Sequence, residues 1–220
     1  MRKVALLLLL FCINQVQGQE KLVVLSELWP PFIYKENNEV VGQVTDKVKE
    51  IFAIAQLDYQ IELLPWARSY RLASSTPNTF IFSIFRSPER EPLFHWYCPL
   101  MKAEDGYLYR LASNQYRLDT FEDVRQYRVG VMREDFMHQY LRENGFIERV
   151  NLDLSADEDI NLKKLTSGRV DFIVQSPSAI KLRLQALGLP EDIVEPELVL
   201  LPGKQQHCLA LNIDSDPKLV

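Results

Sequence analysis

The sequence predicts an α/β protein built as two lobes, each a mostly parallel sheet flanked by helices, with a cleft between them. Three observations predict it. A β-α-β-α-β order fills residues 20–95, the alternation restarts near residue 107 and runs to about 195, and a last apolar strand has no new block to join. Strands that alternate with helical patterns imply parallel pairing, because parallel neighbours need a crossover between them. The unattached last strand implies that the chain crosses between lobes and returns. The division that follows is lobe 1 over 19–100, lobe 2 over 101–202 and a return segment over 203–220.

In the first block, Lys21 to Leu25 is a short β-branched and leucine-rich strand. Gly42 opens a segment with Val44, Val48, Ile51, Phe52 and Ala55 at helical spacing. Tyr59 to Leu64 is the second strand, Ala67 to Ser74 a helix, and Thr79 to Ile84 the third strand. In the second block, Gly106 to Leu111 is strand-like, Asp119 or Thr120 caps a short helix, and Tyr127 to Met132 is extended. Helices follow over Glu134 to Asn144 and Asp157 to Ser167, then a strand over Val170 to Val174, then a helix from Ser176 that Gly188 ends. Leu198 to Leu201 and Cys208 to Leu211 close the pattern as strands separated by Pro202-Gly203.

Residues 1–18 are read as a cleaved signal peptide, since Arg2 and Lys3 precede an apolar run from Val4 to Ile13 that ends in polar residues and Gly18. The run is about half of the ~20 residues a membrane span requires. The expected location is therefore the periplasm. Without Arg2 and Lys3, the 25 basic and 30 acidic residues become 23 against 30, a balance that argues against nucleic acid. Cys98 and Cys208 remain in a compartment that tolerates disulfides. They either pair across a loop of about 110 residues or stay as buried thiols. His95, His138 and His207 are scattered without ligand spacing, so neither a metal nor a cofactor is expected.

Two tryptophans stand where prolines stop a strand: Trp29 in Leu28-Trp29-Pro30-Pro31-Phe32, and Trp66 in Leu64-Pro65-Trp66-Ala67-Arg68. A flat ring at a strand end suits the wall of a small-molecule site between lobes, and Trp96 supplies a third ring expected near the lobe junction.

The ordered features from Lys21 to Val220 resemble a known family. They are Trp29-Pro30-Pro31-Phe32, Gly42 with Thr45-Asp46, Ser87-Pro88-Glu89-Arg90, Phe121-Glu122-Asp123-Val124 before Val129-Gly130-Val131, and Leu165-Thr166-Ser167-Gly168-Arg169-Val170-Asp171. The chain is similar to the type 2 periplasmic solute-binding proteins of the polar amino acid class, extracellular solute-binding family 3. The resemblance implies a two-lobed periplasmic binding protein-like fold and a monomer that captures a small polar or carboxylated solute for a membrane permease of the ABC type, or for a receptor. It also implies that Trp29 and Trp66 sandwich the ligand and that Arg90 grips its carboxylate. A guanidinium fork can hold a carboxylate bidentately, and losing one partner of such a pair costs ~2–5 kcal/mol. Arg68, Arg133 and Ser176 are further ligand-binding candidates.

Two departures from the family stand out. The acid that holds an α-amino group should follow Val174, where this chain has Gln175-Ser176-Pro177; Glu27 or Asp135 would have to supply that charge from another direction. Family members also continue past Asp216 to Val220 with further helices, which implies a shortened version with an exposed apolar patch, or an incomplete one. An enzyme of the dehydratase type on the same scaffold is the rival reading, with Glu27 as general acid or base. No nucleophile, triad spacing, metal motif or phosphate loop supports it, so the chain is read as a binding protein.

Overall fold

The computed structural model describes residues 21–201 and 203–220. The expected signal peptide lies outside these residues. Among the described residues, no helix is long and apolar enough to cross a membrane.

Lobe 1 begins with β1 (Leu22–Ser26), a hairpin of β2 (Tyr34–Glu36) and β3 (Glu39–Val41), and α1 (Gln43–Ile54). It continues with β4 (Tyr59–Leu63), α2 (Trp66–Ser75), β5 (Thr79–Phe85) and β6 (Phe94–Lys102). Lobe 2 holds β7 (Gly106–Leu111), β8 (Val129–Met132), α3 (Phe136–Glu143), β9 (Leu152–Ser155) and α4 (Glu158–Thr166). It ends with β10 (Phe172–Gln175), α5 (Pro177–Ala186) and β11 (Val194–Leu201), after which β12 (Gln206–Asn212) returns to lobe 1.

The two sheets follow one plan, β4-β1-β5-β12-β6 in lobe 1 and, read from its far edge, β9-β8-β10-β7-β11 in lobe 2. Three parallel strands come first, then one antiparallel strand delivered by the chain as it enters from the other lobe, β12 in one case and β7 in the other. The expected first strand of the second block, Gly106 to Leu111, is thus the antiparallel insert, and the parallel set of lobe 2 starts at β8. β8 and β10 are buried along their whole length, as expected where helices cover both faces of a parallel sheet. The short hairpin of β2 and β3 escapes the sequence pattern because three residues carry no readable period.

Two crossings join the lobes, one between β6 and β7 and one between β11 and β12. They touch, since Ala103 N–H donates to the Gln205 carbonyl at 3.0 Å. Cys98 of β6 and Cys208 of β12 form a disulfide with Cα atoms 4.6 Å apart. The sequence left this pairing open; antiparallel neighbours β6 and β12 decide it. The bridge closes a loop that contains all of lobe 2, for which the chain-entropy relation gives a stabilisation of about 5 kcal/mol.

Trp96, expected at the lobe junction, sits instead in β6. The Arg86 guanidinium lies 5.5 Å from its ring centre, and it does not line the cleft. The last residues form a short 3-10 turn over Pro217–Leu219, whose Leu219 packs against the lobe 1 core.

Candidate functional site

The carboxyl ends of both parallel sheets face one cavity of about 160 Å³. Its lobe 1 wall is aromatic. A tight turn donates from Phe32 and Ile33 N–H to the Trp29 carbonyl at 2.9 Å each, and it brings the Trp29 and Phe32 ring centres within 4.4 Å. Gly42 makes the turn possible. Its φ is +122° and a Cβ there would stand 2.3 Å from the Phe32 carbonyl oxygen, so only glycine lets α1 start against this turn.

His207 of β12 fills the gap between Trp29 and Phe85, with ring centres 4.8 and 4.3 Å away. Its Nδ1 lies 3.1 Å from the Ser83 hydroxyl and 3.3 Å from the Ser83 carbonyl. Burial pushes the His207 pKa down to about 4, against a smaller opposing effect of the Ser83 backbone, so the ring is neutral at physiological pH. Across the cleft, Phe136 of α3 meets Phe85 edge to face at 5.4 Å.

Lobe 2 and the end of β1 supply charge. Glu27 follows Ser26, whose hydroxyl donates to the Phe82 carbonyl and whose own carbonyl accepts from the Ser69 hydroxyl. This buried network fixes where Glu27 enters the cavity. Asp135 caps α3, accepting from His138 N–H at 2.5 Å, and Glu158 opens α4 and accepts from Asn161 Nδ2 at 2.9 Å.

All three carboxyls are held above the usual carboxylate range. For Glu27 the largest cause is burial, followed by the neighbouring Glu158 charge; Arg183 opposes, and Asp135 and Asp157 add to the rise. Burial and then Glu158 push Asp135 up to about 8. Burial raises Glu158, partly offset by Arg183 and Asn161. Arg183 of α5, 6% exposed, is ion-paired with Asp159. Among the described residues, no group of three or more His, Cys, Asp or Glu side chains is placed to hold a metal ion.

Arg90 lines the cavity but offers it little. It is 0% exposed; Nη1 donates to the Phe85 carbonyl at 3.2 Å and Nη2 to the Glu134 carbonyl at 2.8 Å. Its guanidinium lies 4.9 Å from the Tyr70 ring centre and 5.7 Å from that of Trp66. Trp66, 3% exposed, also donates from Nε1 to the Glu134 carbonyl at 2.8 Å. One lobe 2 carbonyl therefore accepts from two lobe 1 side chains.

Glu134 takes a left-handed φ of +60°, and its own N–H donates to His138 Nδ1 at 3.1 Å. His138 is 1% exposed, and its Nε2 meets Glu148 at 3.1 Å. The imidazole thus anchors the N–H of the residue whose carbonyl ties the lobes together.

Of the residues expected from sequence, Glu27, Trp29, Trp66, Arg90 and Ser176 all line the cavity. Ser176 caps α5, its hydroxyl accepting from Ala179 N–H at 3.4 Å. Arg68 and Arg133 do not reach it. Arg68 lies on the solvent side of α2, whose buried face carries Trp66, Ser69, Tyr70 and Ala73. Arg133 follows Met132, which faces the cavity, and is exposed.

Sequence reasoning missed Glu158, Arg183, His207 and the Phe85–Phe136 pair. One signal was present for Arg183: it shares the face of α5 with Ile180 and Leu184, and a cation on an apolar face needs a reason. Glu158 carried no such mark, since an acid in a first helical turn is ordinary.

No protein-family model matches the chain, and no curated protein matches it. Among solved structures, it is similar to a histidine kinase sensor domain with similarity to periplasmic binding proteins. The identity is 18%, the match covers 91% of this chain and 85% of that one, and the TM-score is 0.78. It is also similar to the arginine-, lysine-, histidine-binding protein ArtJ from Geobacillus stearothermophilus, at 16% identity, 91% and 85% coverage and a TM-score of 0.74. An ancestral arginine-binding protein bound to arginine matches at 18% identity, 89% and 86% coverage and a TM-score of 0.74. At these identities the likeness establishes the two-lobed, type 2 periplasmic-binding-protein fold.

Proposed function

We propose that this chain is a solute-binding protein that captures a small polar solute in its interlobe cavity and, after export by a cleaved signal peptide, presents it in the periplasm to an ABC-type permease. The observation that carries this reading is the cavity itself. Rings from lobe 1 and acids from both lobes converge on one space that lobe closure would seal and lobe opening would expose. The similarity to proteins described as binding arginine, lysine or histidine supports a nitrogen-bearing solute.

Closure then acts as the output. A ligand that touches both lobes favours the closed form by its differential affinity for the two forms, and a permease or receptor reads that form. The likeness to a sensor domain favours a second reading, in which the same closure feeds a signalling partner. Either way the protein acts as a monomer toward its solute and performs no turnover. Glu27 with a raised pKa would suit proton transfer, but the similar structures are described as binding proteins and a sensor domain.

Native mass spectrometry of the purified protein, followed by thermal-shift screening of amino acids and amines, tests this reading. The expected result is a bound or added small solute that raises Tm and is recovered unchanged. Chemical conversion of the solute on incubation would replace binding with catalysis.

A further inference from the structure

We propose that the cavity selects an organic cation without a carboxylate, an amine or guanidine carried on an apolar body, rather than a whole amino acid. This rests on the solute-binding reading and narrows it.

Three features of the walls carry the inference. The first is the state of the two guanidiniums. Arg90 donates to the Phe85 and Glu134 carbonyls and is fully buried under Tyr70 and Trp66. Two main-chain carbonyls hold its Nη groups in place, and one of them also ties the lobes together through Trp66. Arg183 is held by Asp159 and faces Glu27 and Glu158. Nε of each arginine has no hydrogen-bond partner among the described residues, but the two side chains are 0% and 6% exposed, so a ligand carboxylate reaches either cation only by displacing the groups packed over it.

The second feature is acid on both sides of the cleft. Glu27 from lobe 1 makes no side-chain hydrogen bond or ion pair among the described residues, and Asp135 and Glu158 face it from lobe 2. Three acids that repel one another across a closing cleft oppose closure, whereas a cation between them favours it. Among the described residues these groups do not converge as metal ligands. Their raised pKa values have the same origin: burial and mutual repulsion with too little positive charge nearby.

The third feature is the aromatic wall. Trp29, Phe32 and Phe85 present rings to the same space, and a cation over such faces is attracted by the ring quadrupole. His207, the one basic side chain within that wall, stays neutral and so does not oppose a cation.

Matched pairs that differ only by the carboxylate test the idea: agmatine against arginine, cadaverine against lysine, tyramine against tyrosine and phenethylamine against phenylalanine. Each is titrated into the exported form of the protein by calorimetry, with melting scans alongside. The expected result is at least one amine that binds about tenfold or more tightly than its parent amino acid. Its affinity should rise as pH is raised through about 8, where Asp135 loses its proton, with protons released on binding. Glu27→Gln and Glu158→Gln should each weaken that amine by about tenfold or more while leaving a cooperative melt.

An amino acid that binds as tightly as its amine overturns the inference and leaves the solute-binding reading standing, as does an amine whose affinity neither variant changes. If no compound in the panel binds and native mass spectrometry finds no solute, the solute-binding reading falls and the inference falls with it.

Discussion

The two lobes share a strand plan but divide the chemistry of the cleft between them. Lobe 1 brings Trp29, Phe32, Phe85 and a neutral His207, with Glu27 as its lone acid, while lobe 2 brings Asp135, Glu158 and Arg183 from the first turns or inner faces of its helices. The difference follows from where each wall comes from. In lobe 1 the wall is made of strand ends and a proline-stopped turn, where large rings pack on the sheet edge. In lobe 2 it is made largely of helix N-termini, where acids are already favoured by the macrodipole. One lobe offers area and the other charge, and the Glu134 peptide holds them together.

The sharpest way to break this division is at the tie between lobes. Arg90→Ala removes two charged hydrogen bonds from buried carbonyls and leaves a void under Tyr70 and Trp66, so a loss of about 3–5 kcal/mol is expected in urea unfolding. The variant should also scatter X-rays as a more open particle. A change below about 1 kcal/mol would show that Arg90 is dispensable to the tie.

Reduction of the Cys98–Cys208 bridge should cost about 2–4 kcal/mol, visible as a lower urea midpoint with reductant. Because the closed loop contains lobe 2, unfolding should remain a single transition if the lobes fold together and split into two if they do not.

His138→Ala tests the comparison more finely. The imidazole touches no solute, but its loss frees the Glu134 N–H, so about 1–3 kcal/mol of stability should go. Solute affinity should fall with it, whatever the charge of the solute. His138→Gln, which can accept the same hydrogen bond, should recover part of both; an unchanged affinity in His138→Ala would separate the tie from binding.

The pH dependence distinguishes the lobes next. Asp135 of lobe 2 has its folded pKa raised, so the folded state binds the extra proton and stability contributed by that group is lost as pH rises from about 4 through about 8. His207 of lobe 1 has its pKa lowered, so its contribution is present above about 6.5 and lost as pH falls through about 4. The two oppose each other in the acid range; above it Asp135 acts in the same direction as Glu27 and Glu158, whose folded pKa values are also raised. Asp135→Asn keeps a helix cap and should flatten the alkaline decline of Tm without moving the acid side.

The smallest effect is expected at the rim. The Arg142–Glu89 pair crosses between lobes at 3.6 Å with both side chains close to half exposed, so Arg142→Ala should change stability by less than about 1 kcal/mol. The change should shrink further in salt.

Much of this was legible in the sequence. The alternation of strands and helices gave both sheets, and the proline-flanked Trp29 and the neighbouring Glu27 were placed at the cleft because a strand end in a parallel sheet leads to its carboxyl edge. The gap after Val174 pointed to Glu27 or Asp135 as a source of negative charge, and both line the cavity. Arg90 was legible as a cleft residue, but its bonding partners were not.

What the sequence by itself determined, then, was which segments form which elements and which faces they bury, because those depend on periods of two and 3.6 residues read over short windows. Only the tertiary structure decided the allegiance of the polar groups. Arg90 donates to a carbonyl 44 residues away that is turned toward it by a left-handed peptide, and Glu27 meets Glu158 only because two lobes close on one cavity. Hydrogen bonds and charge pairs of that kind have no period along the chain, so they become visible only when the sheets are set face to face.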